Sequence, residues 1–105
     1  MTDYNKGEYG QTIYVNMGED VSTNTELSLI LEPAIGTKKE ISSGVTVGSA
    51  NVDVNDETYL ANEYLQYTIA ADDLDYAGLW RKKGEATLSS TNKIISNYTH
   101  FSVLE

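Results

Sequence analysis

Apolar residues along this chain recur with a period near two, not near 3.6, and that alternation predicts strands from end to end. In residues 12–17, Ile13, Val15 and Met17 share one face while Thr12, Tyr14 and Asn16 take the other, and Gly10 and Gly18 bracket the run. Residues 25–32 place Leu27, Leu29 and Leu31 together before Pro33, which lacks a ladder donor and ends the strand; residues 33–36 then read as a turn. Residues 38–41 suit a short polar edge strand, where lysines discourage edge-to-edge pairing. Val45 and Val47 sit between Gly44 and Gly48, and Val52 and Val54 form another alternating pair. Residues 63–69 alternate clearly, with Leu65, Tyr67 and Ile69 opposed to Tyr64, Gln66 and Thr68.

The second half keeps the pattern with two interruptions. Residues 70–77 contain Asp72, Asp73 and Asp75, which favour helix starts, so a single helical turn is expected there. Residues 79–88 form the longest late strand; Trp80, Ala86 and Leu88 share a parity that also sends Lys82 inward. A bulge near Gly84 would reset the register and resolve that conflict. Residues 89–92 make a hairpin connection, and 93–104 return with Ile95 early and Phe101 and Val103 late. About seven short alternating strands punctuated by turns predict an all-β fold, an immunoglobulin-like antiparallel β-sandwich over residues 11–105. Residues 1–10 lack the alternation and combine Tyr4 and Tyr9 with Gly7 and Gly10, so they are expected to form an N-terminal arm suited to docking on a neighbouring subunit.

Length and charge narrow the classes. A chain of 105 residues has room for one ordinary domain. Without cysteine it has no disulfide, thiolate metal site or cysteine nucleophile. Seven basic against 16 acidic residues give a net charge of -9, which repels phosphate backbones and anionic membranes and makes a basic or neutral partner surface the expectation. The opening residues show no basic stretch leading into an apolar run, and no segment has the length of a bilayer span. The expectation is a soluble protein without a Sec signal, assembled in a cytoplasm.

Three segments carry a resemblance. Tyr4-Asn5-Lys6-Gly7-Glu8-Tyr9-Gly10 leads into the first alternating strand, Asp75-Tyr76-Ala77-Gly78-Leu79-Trp80 leads into a late one, and Phe101-Ser102-Val103-Leu104-Glu105 closes the chain. Together they resemble small Ig-like structural proteins of tailed bacteriophages, including the N-terminal module of upper baseplate proteins and related virion and cement proteins. The resemblance implies a virion subunit made in the host cytoplasm, present in multiple copies or as a homo-oligomer, with other capsid or tail proteins as partners. It departs from the baseplate pattern in its brevity, and the expectation is then a free-standing subunit, either a tail or baseplate adaptor or a capsid cement protein. Independently of the resemblance, residues 75–80 read as a turn entering a core strand, with Gly78 supplying the backbone freedom and Trp80 the anchor.

Candidate chemistry is sparse. The single histidine, His100, falls on the outward parity of the last strand with no nucleophile or acid in view, so no catalytic residue is assigned. Asp53, Asn55 and Glu57 alternate like calcium-loop ligands, but Thr58 stands where the loop needs glycine and Tyr64 where it needs glutamate. Solvated loop charge is the default there, with a looser calcium site at those residues or at Asp72, Asp73 and Asp75 as the alternative. Asn97-Tyr98-Thr99 is only a formal glycosylation sequon. Adjacent carboxylates such as Glu19 and Asp20 face opposite ways on a strand, and Gly7-Glu8-Tyr9-Gly10 is too short to cradle phosphate. No metal, cofactor or enzyme activity is therefore expected. The eight tyrosines are better candidates, because tyrosine supplies rigid amphipathic contact area; Tyr4, Tyr9, Tyr14 and Tyr64 are the expected interface residues. A glycan- or cell-surface-binding sandwich, stacking sugars on tyrosines beside acidic loops, is the alternative function.

Overall fold

The computed structural model describes residues 3–105, all of them in strands, turns and loops without a helix. The strands are β1 (Asp3–Asn5), β2 (Thr12–Asn16), β3 (Glu26–Pro33), β4 (Lys39–Ile41), β5 (Thr46–Val47), β6 (Val52–Val54), β7 (Glu57–Tyr59), β8 (Tyr64–Thr68), β9 (Gly78–Ser89), β10 (Asn92–Ile95) and β11 (Thr99–Leu104). A six-stranded sheet has the order β1-β11-β9-β3-β4, with β10 also pairing β9; a three-stranded sheet has the order β2-β8-β5; β6 and β7 make a hairpin of their own. All ladders are antiparallel except that of β1 with β11, which is parallel.

The alternation read from the sequence is what buries the core. Ile13 and Val15 of β2 and Leu65 of β8 meet Leu29 and Leu31 of β3, Trp80 and Ala86 of β9, and Phe101 and Val103 of β11 in one apolar cluster. The two larger sheets therefore face each other across a shared interior. Trp80 anchors it as expected: it is 1% exposed, stacks on Phe101 at 5.9 Å, and donates its indole N–H to the Tyr76 carbonyl at 2.9 Å. Gly78, at φ 124°, opens β9 in a conformation that a side-chain-bearing residue rarely adopts.

Three expectations need correction. The expected helical turn over residues 70–77 is an irregular turn, because the Asp73 carboxylate accepts from the Ala70 N–H at 2.8 Å and the Tyr67 hydroxyl at 2.6 Å, and Asp72 takes φ 72°. Aspartate that satisfies a nearby donor locally holds the chain in a turn as readily as it starts a helix.

The bulge expected in β9 at Gly84 is absent: β9 pairs β3 without a shift from Glu26↔Thr87 to Pro33↔Trp80. The irregularity lies on the opposing side, between β10 and β11, where Ser96 donates its N–H to Gly84 O and its hydroxyl oxygen accepts from Gly84 N. Gly84 is instead a point of close approach between the sheets; a Cβ there would stand 2.7 Å from Leu65 Cδ1 and 2.8 Å from Met17 Sδ. β9 shifts register only at its far end, against Asn92 and Lys93 of β10, and is unbroken against β3, so Lys82 keeps its inward parity.

The N-terminal arm differs as well. Met1 and Thr2 lie outside the described residues, but Asp3–Asn5 pairs with β11, and Tyr4 is buried edge-on against Phe101 at 5.6 Å. The strand is too short to show alternation, so its membership of the sheet is invisible in the residue pattern.

Candidate functional site

The four tyrosines expected at an interface do not gather on one surface. Tyr4 is 6% exposed in the core, and burial, followed by the Glu8 charge, pushes its hydroxyl up to about 12. Tyr64 points outward from β8 yet is only 4% exposed. The β6–β7 hairpin folds over it: its hydroxyl donates to Ala50 O at 2.6 Å, and its ring packs with Tyr59 and Tyr14. A Cβ on Gly48 would overlap that ring at 1.9 Å. Tyr14 is half-buried beside it, and Tyr9, at 67% exposure, is the one of the four left in solvent.

That hairpin also explains the calcium-like spacing. Asn55 and Asp56 both take positive φ, 51° and 66°, and so form a two-residue turn of the type that joins antiparallel strands. Asp53 Oδ1 accepts from the Thr58 hydroxyl at 2.7 Å across the ladder. The alternating polar residues are thus the exposed face of a β-ribbon. Among the described residues no group of three potential metal ligands converges.

Two other features stand out, both without a signal in composition. The first is an apolar patch at one end of the outer face of the six-stranded sheet. Ile35 is 79% exposed in the turn after β3, and its neighbour Ala34 donates to Leu79 O at 2.9 Å. Leu79 projects outward from β9 opposite Ser102, so Leu104, two residues further along β11, shares its face. Tyr76 joins them, its ring close enough to Gly36 that a Cβ there would come within 2.7 Å. Beside the patch is an open hollow of about 440 Å³ whose polar walls are Glu32, Arg81 and His100. Arg81 is held there by an ion pair with Glu32 and by stacking 3.9 Å above the Tyr98 ring, which Lys83 also approaches at 4.8 Å.

The second feature is Lys82. Its parity places it among the core side chains, 7% exposed, with Nζ 6.0 Å from the centre of the Phe101 ring. Burial drives its ammonium down from 10.5 to about 8. None of the ion pairs among the described residues includes it; those pairs are Lys39–Asp75, Arg81–Glu32 and Lys93–Glu85. The side chain ends in a hollow of about 240 Å³ between the sheets, lined also by Tyr4, Thr12, Tyr14 and the tip of the β6–β7 hairpin. The parity of Lys82 was legible in the sequence, but its meaning depended on whether β9 is regular.

No helix among the described residues is long and apolar enough to cross a membrane. No protein-family model matches the chain, and neither a curated protein sequence nor a solved structure is significantly similar to it.

Proposed function

We propose that the chain is a non-enzymatic structural subunit of a tailed-phage virion, an Ig-like domain that works by protein–protein contact as a capsid cement or a tail or baseplate adaptor. The Ig-like reading is supported by strand order: one sheet runs β1-β11-β9-β3-β4 and faces β2-β8-β5, the first strand lies parallel to the last, and one core joins them. The virion assignment rests on the resemblance of residues 4–10, 75–80 and 101–105 to phage structural proteins.

The observation that carries the protein-contact reading is the exposure of Ile35, Tyr76, Leu79 and Leu104, which the β9–β11 register, the Ala34–Leu79 bond and the approach of Tyr76 to Gly36 bring to one end of the six-stranded sheet. Scattered apolar side chains on a surface need no explanation, whereas a group rimmed by charged residues marks a contact site. A sheet that has already buried Leu29, Leu31, Trp80 and Phe101 gains nothing in its own stability from these four. Their energetic return comes when a partner covers them.

Quantitative mass spectrometry of purified particles from the phage that encodes the chain tests the assignment: hundreds of copies indicate capsid, a handful indicate tail, and absence from particles sinks it. Leu79→Asp combined with Ile35→Asp should leave the isolated domain folded and prevent its incorporation. The glycan-binding alternative draws on the hollow beside the same patch, where Glu32, Arg81 and His100 offer hydrogen-bonding groups next to Leu79. Saturable glycan binding, lost in Glu32→Ala while particle incorporation is retained, would favour it.

A further inference from the structure

Lys82 and the free edge of β2 belong to one slot. The register of β2 against β8 is unbroken from Thr12↔Thr68 to Asn16↔Tyr64. Just outside it, the Met17 N–H donates to Glu63 O at 2.8 Å and the Ile69 N–H to Gln11 O at 2.8 Å. Both bonds involve odd-numbered residues on the β2 side, and antiparallel ladders alternate between residues that exchange hydrogen bonds and residues that do not. Ile13 and Val15 therefore bond to β8, while the backbone groups of Thr12, Tyr14 and Asn16 point away from it. On that side no strand among the described residues pairs with β2. Residues 12–16 contain no proline, no lysine and no break in register, the usual devices by which an edge is closed to further pairing.

The hollow that receives Lys82 opens beside this same edge, since Thr12 and Tyr14 line it. More than nine-tenths of Lys82 is buried, and among the described residues no hydrogen-bond or ion-pair partner meets its ammonium. Among the described residues no buried side-chain nitrogen or oxygen lacks a hydrogen-bond partner, so the ammonium still reaches solvent through the hollow, and an anion brought to it there meets a charge held in surroundings less polar than water. The other charged side chain in the hollow, Asp53, is exposed at the rim and already accepts from Thr58. Its charge is screened by solvent more fully than that of Lys82, which is held deeper in the hollow.

We propose that an extended acidic segment of a partner protein adds as a strand beside β2, pairing with the outward backbone groups of Thr12, Tyr14 and Asn16 and setting a carboxylate on the Lys82 ammonium. Backbone pairing supplies the affinity common to all strand addition, and the single deep charge supplies selectivity. The inference deepens the protein-contact reading and rests on it: it names a second attachment surface, distinct from the apolar patch, and the chemistry of what attaches there.

The test is a display library of random decapeptides panned against the full chain and, in parallel, against Lys82→Met and Thr12→Pro. Proline at position 12 removes only an outward N–H at the start of an edge strand, where it is tolerated. Enriched peptides should share an Asp or Glu at one position. The best of them should bind Lys82→Met about tenfold or more weakly, as expected for loss of a charge-assisted hydrogen bond. In ¹⁵N-labelled protein that peptide should shift the amides of Thr12, Tyr14 and Asn16. No enrichment, enrichment without a recurring acid, undiminished binding to Lys82→Met, or shifts confined to another surface overturns the proposal. If Thr12→Pro fails to fold, the amide map of the unmodified chain and the Lys82→Met comparison still decide. Peptide capture by a chain that is absent from particles upholds the slot and rejects the virion role; a virion protein that captures nothing does the reverse.

Discussion

Replacing Lys82 with methionine should make this protein more stable at neutral pH, and the structure sets both the size and the pH dependence of the gain. The lysine lies on the inward face of β9 among Trp80, Ala86 and Phe101, and burial lowers its ammonium from 10.5 to about 8. At about 1.4 kcal/mol per tenfold change in proton affinity, that drop corresponds to a penalty of about 3 kcal/mol for holding the charge in the folded state. Methionine follows the same path with an unbranched apolar chain. Against the gain stands a distant cation–ring attraction to Phe101, 6.0 Å away, worth about 0.5 kcal/mol at most. A net stabilisation of about 2 kcal/mol remains, which for a domain of this size raises Tm by roughly 8–16 °C.

The pH dependence separates this cause from a generic packing effect. With its folded-state value depressed, Lys82 releases its proton more readily in the folded than in the unfolded chain. Below about pH 8 both states are protonated and the penalty is present in full. Between about 8 and 10.5 the unfolded state binds more protons, so the wild type gains stability as pH rises. The advantage of Lys82→Met should therefore be largest at pH 7 and shrink toward pH 10. Tyr4 and Tyr67 act in the opposite sense: both are raised to about 12, mainly by burial, so their contribution is lost only above pH 10. Urea unfolding of both proteins at pH 7, 8.5 and 9.5 provides the measurement. A variant less stable than wild type at pH 7, or an advantage that does not change with pH, would refute the reasoning.

Trp80→Ala should cost about 3–5 kcal/mol, since the ring is fully buried and its removal leaves a cavity; native tryptophan emission should be blue-shifted, and a water-like maximum would contradict its placement. Gly84→Ala should cost about 1–3 kcal/mol despite adding one methyl group, because that carbon meets Leu65 and Met17 of the facing sheet; a neutral result in thermal melts would mean that the sheets stand further apart. Tyr4→Ala should cost about 3 kcal/mol by uncovering Phe101, and an unchanged Tm would return residues 1–10 to the role of a detached arm.

The strands of the core were legible because each presents one apolar face to a shared interior. Ile13 and Val15, Leu29 and Leu31, Leu65 and Ile69, Trp80 and Ala86, and Phe101 and Val103 all lie where alternation puts them. What could not be read there was anything fixed by a neighbour distant in sequence. Tyr64 has outward parity and is buried only because a hairpin from residues 52–59 lies over it. Tyr4 belongs to a three-residue strand recognisable only by its partner, β11, at the far end of the chain. Gly84 carries the sequence signal of a bulge and of a close approach alike, and only the facing Leu65 and Met17 distinguish them. The apolar patch was missed because Ile35 and Leu79 are 44 positions apart and share a surface through the return of β9 beside β3.

The parallel pairing of β1 with β11 bears on mechanical load. Asp3 lies beside Ser102 and Asn5 beside Leu104, so the polypeptide enters at one end of the strand pair and leaves at the other. Tension applied through the two ends pulls β1 and β11 in opposite directions along their length. The interstrand hydrogen bonds and the Tyr4–Phe101 contact are then loaded together in shear, rather than broken one after another as in unzipping. A domain tethered at both ends by this pair resists extension at the joint where the force arrives.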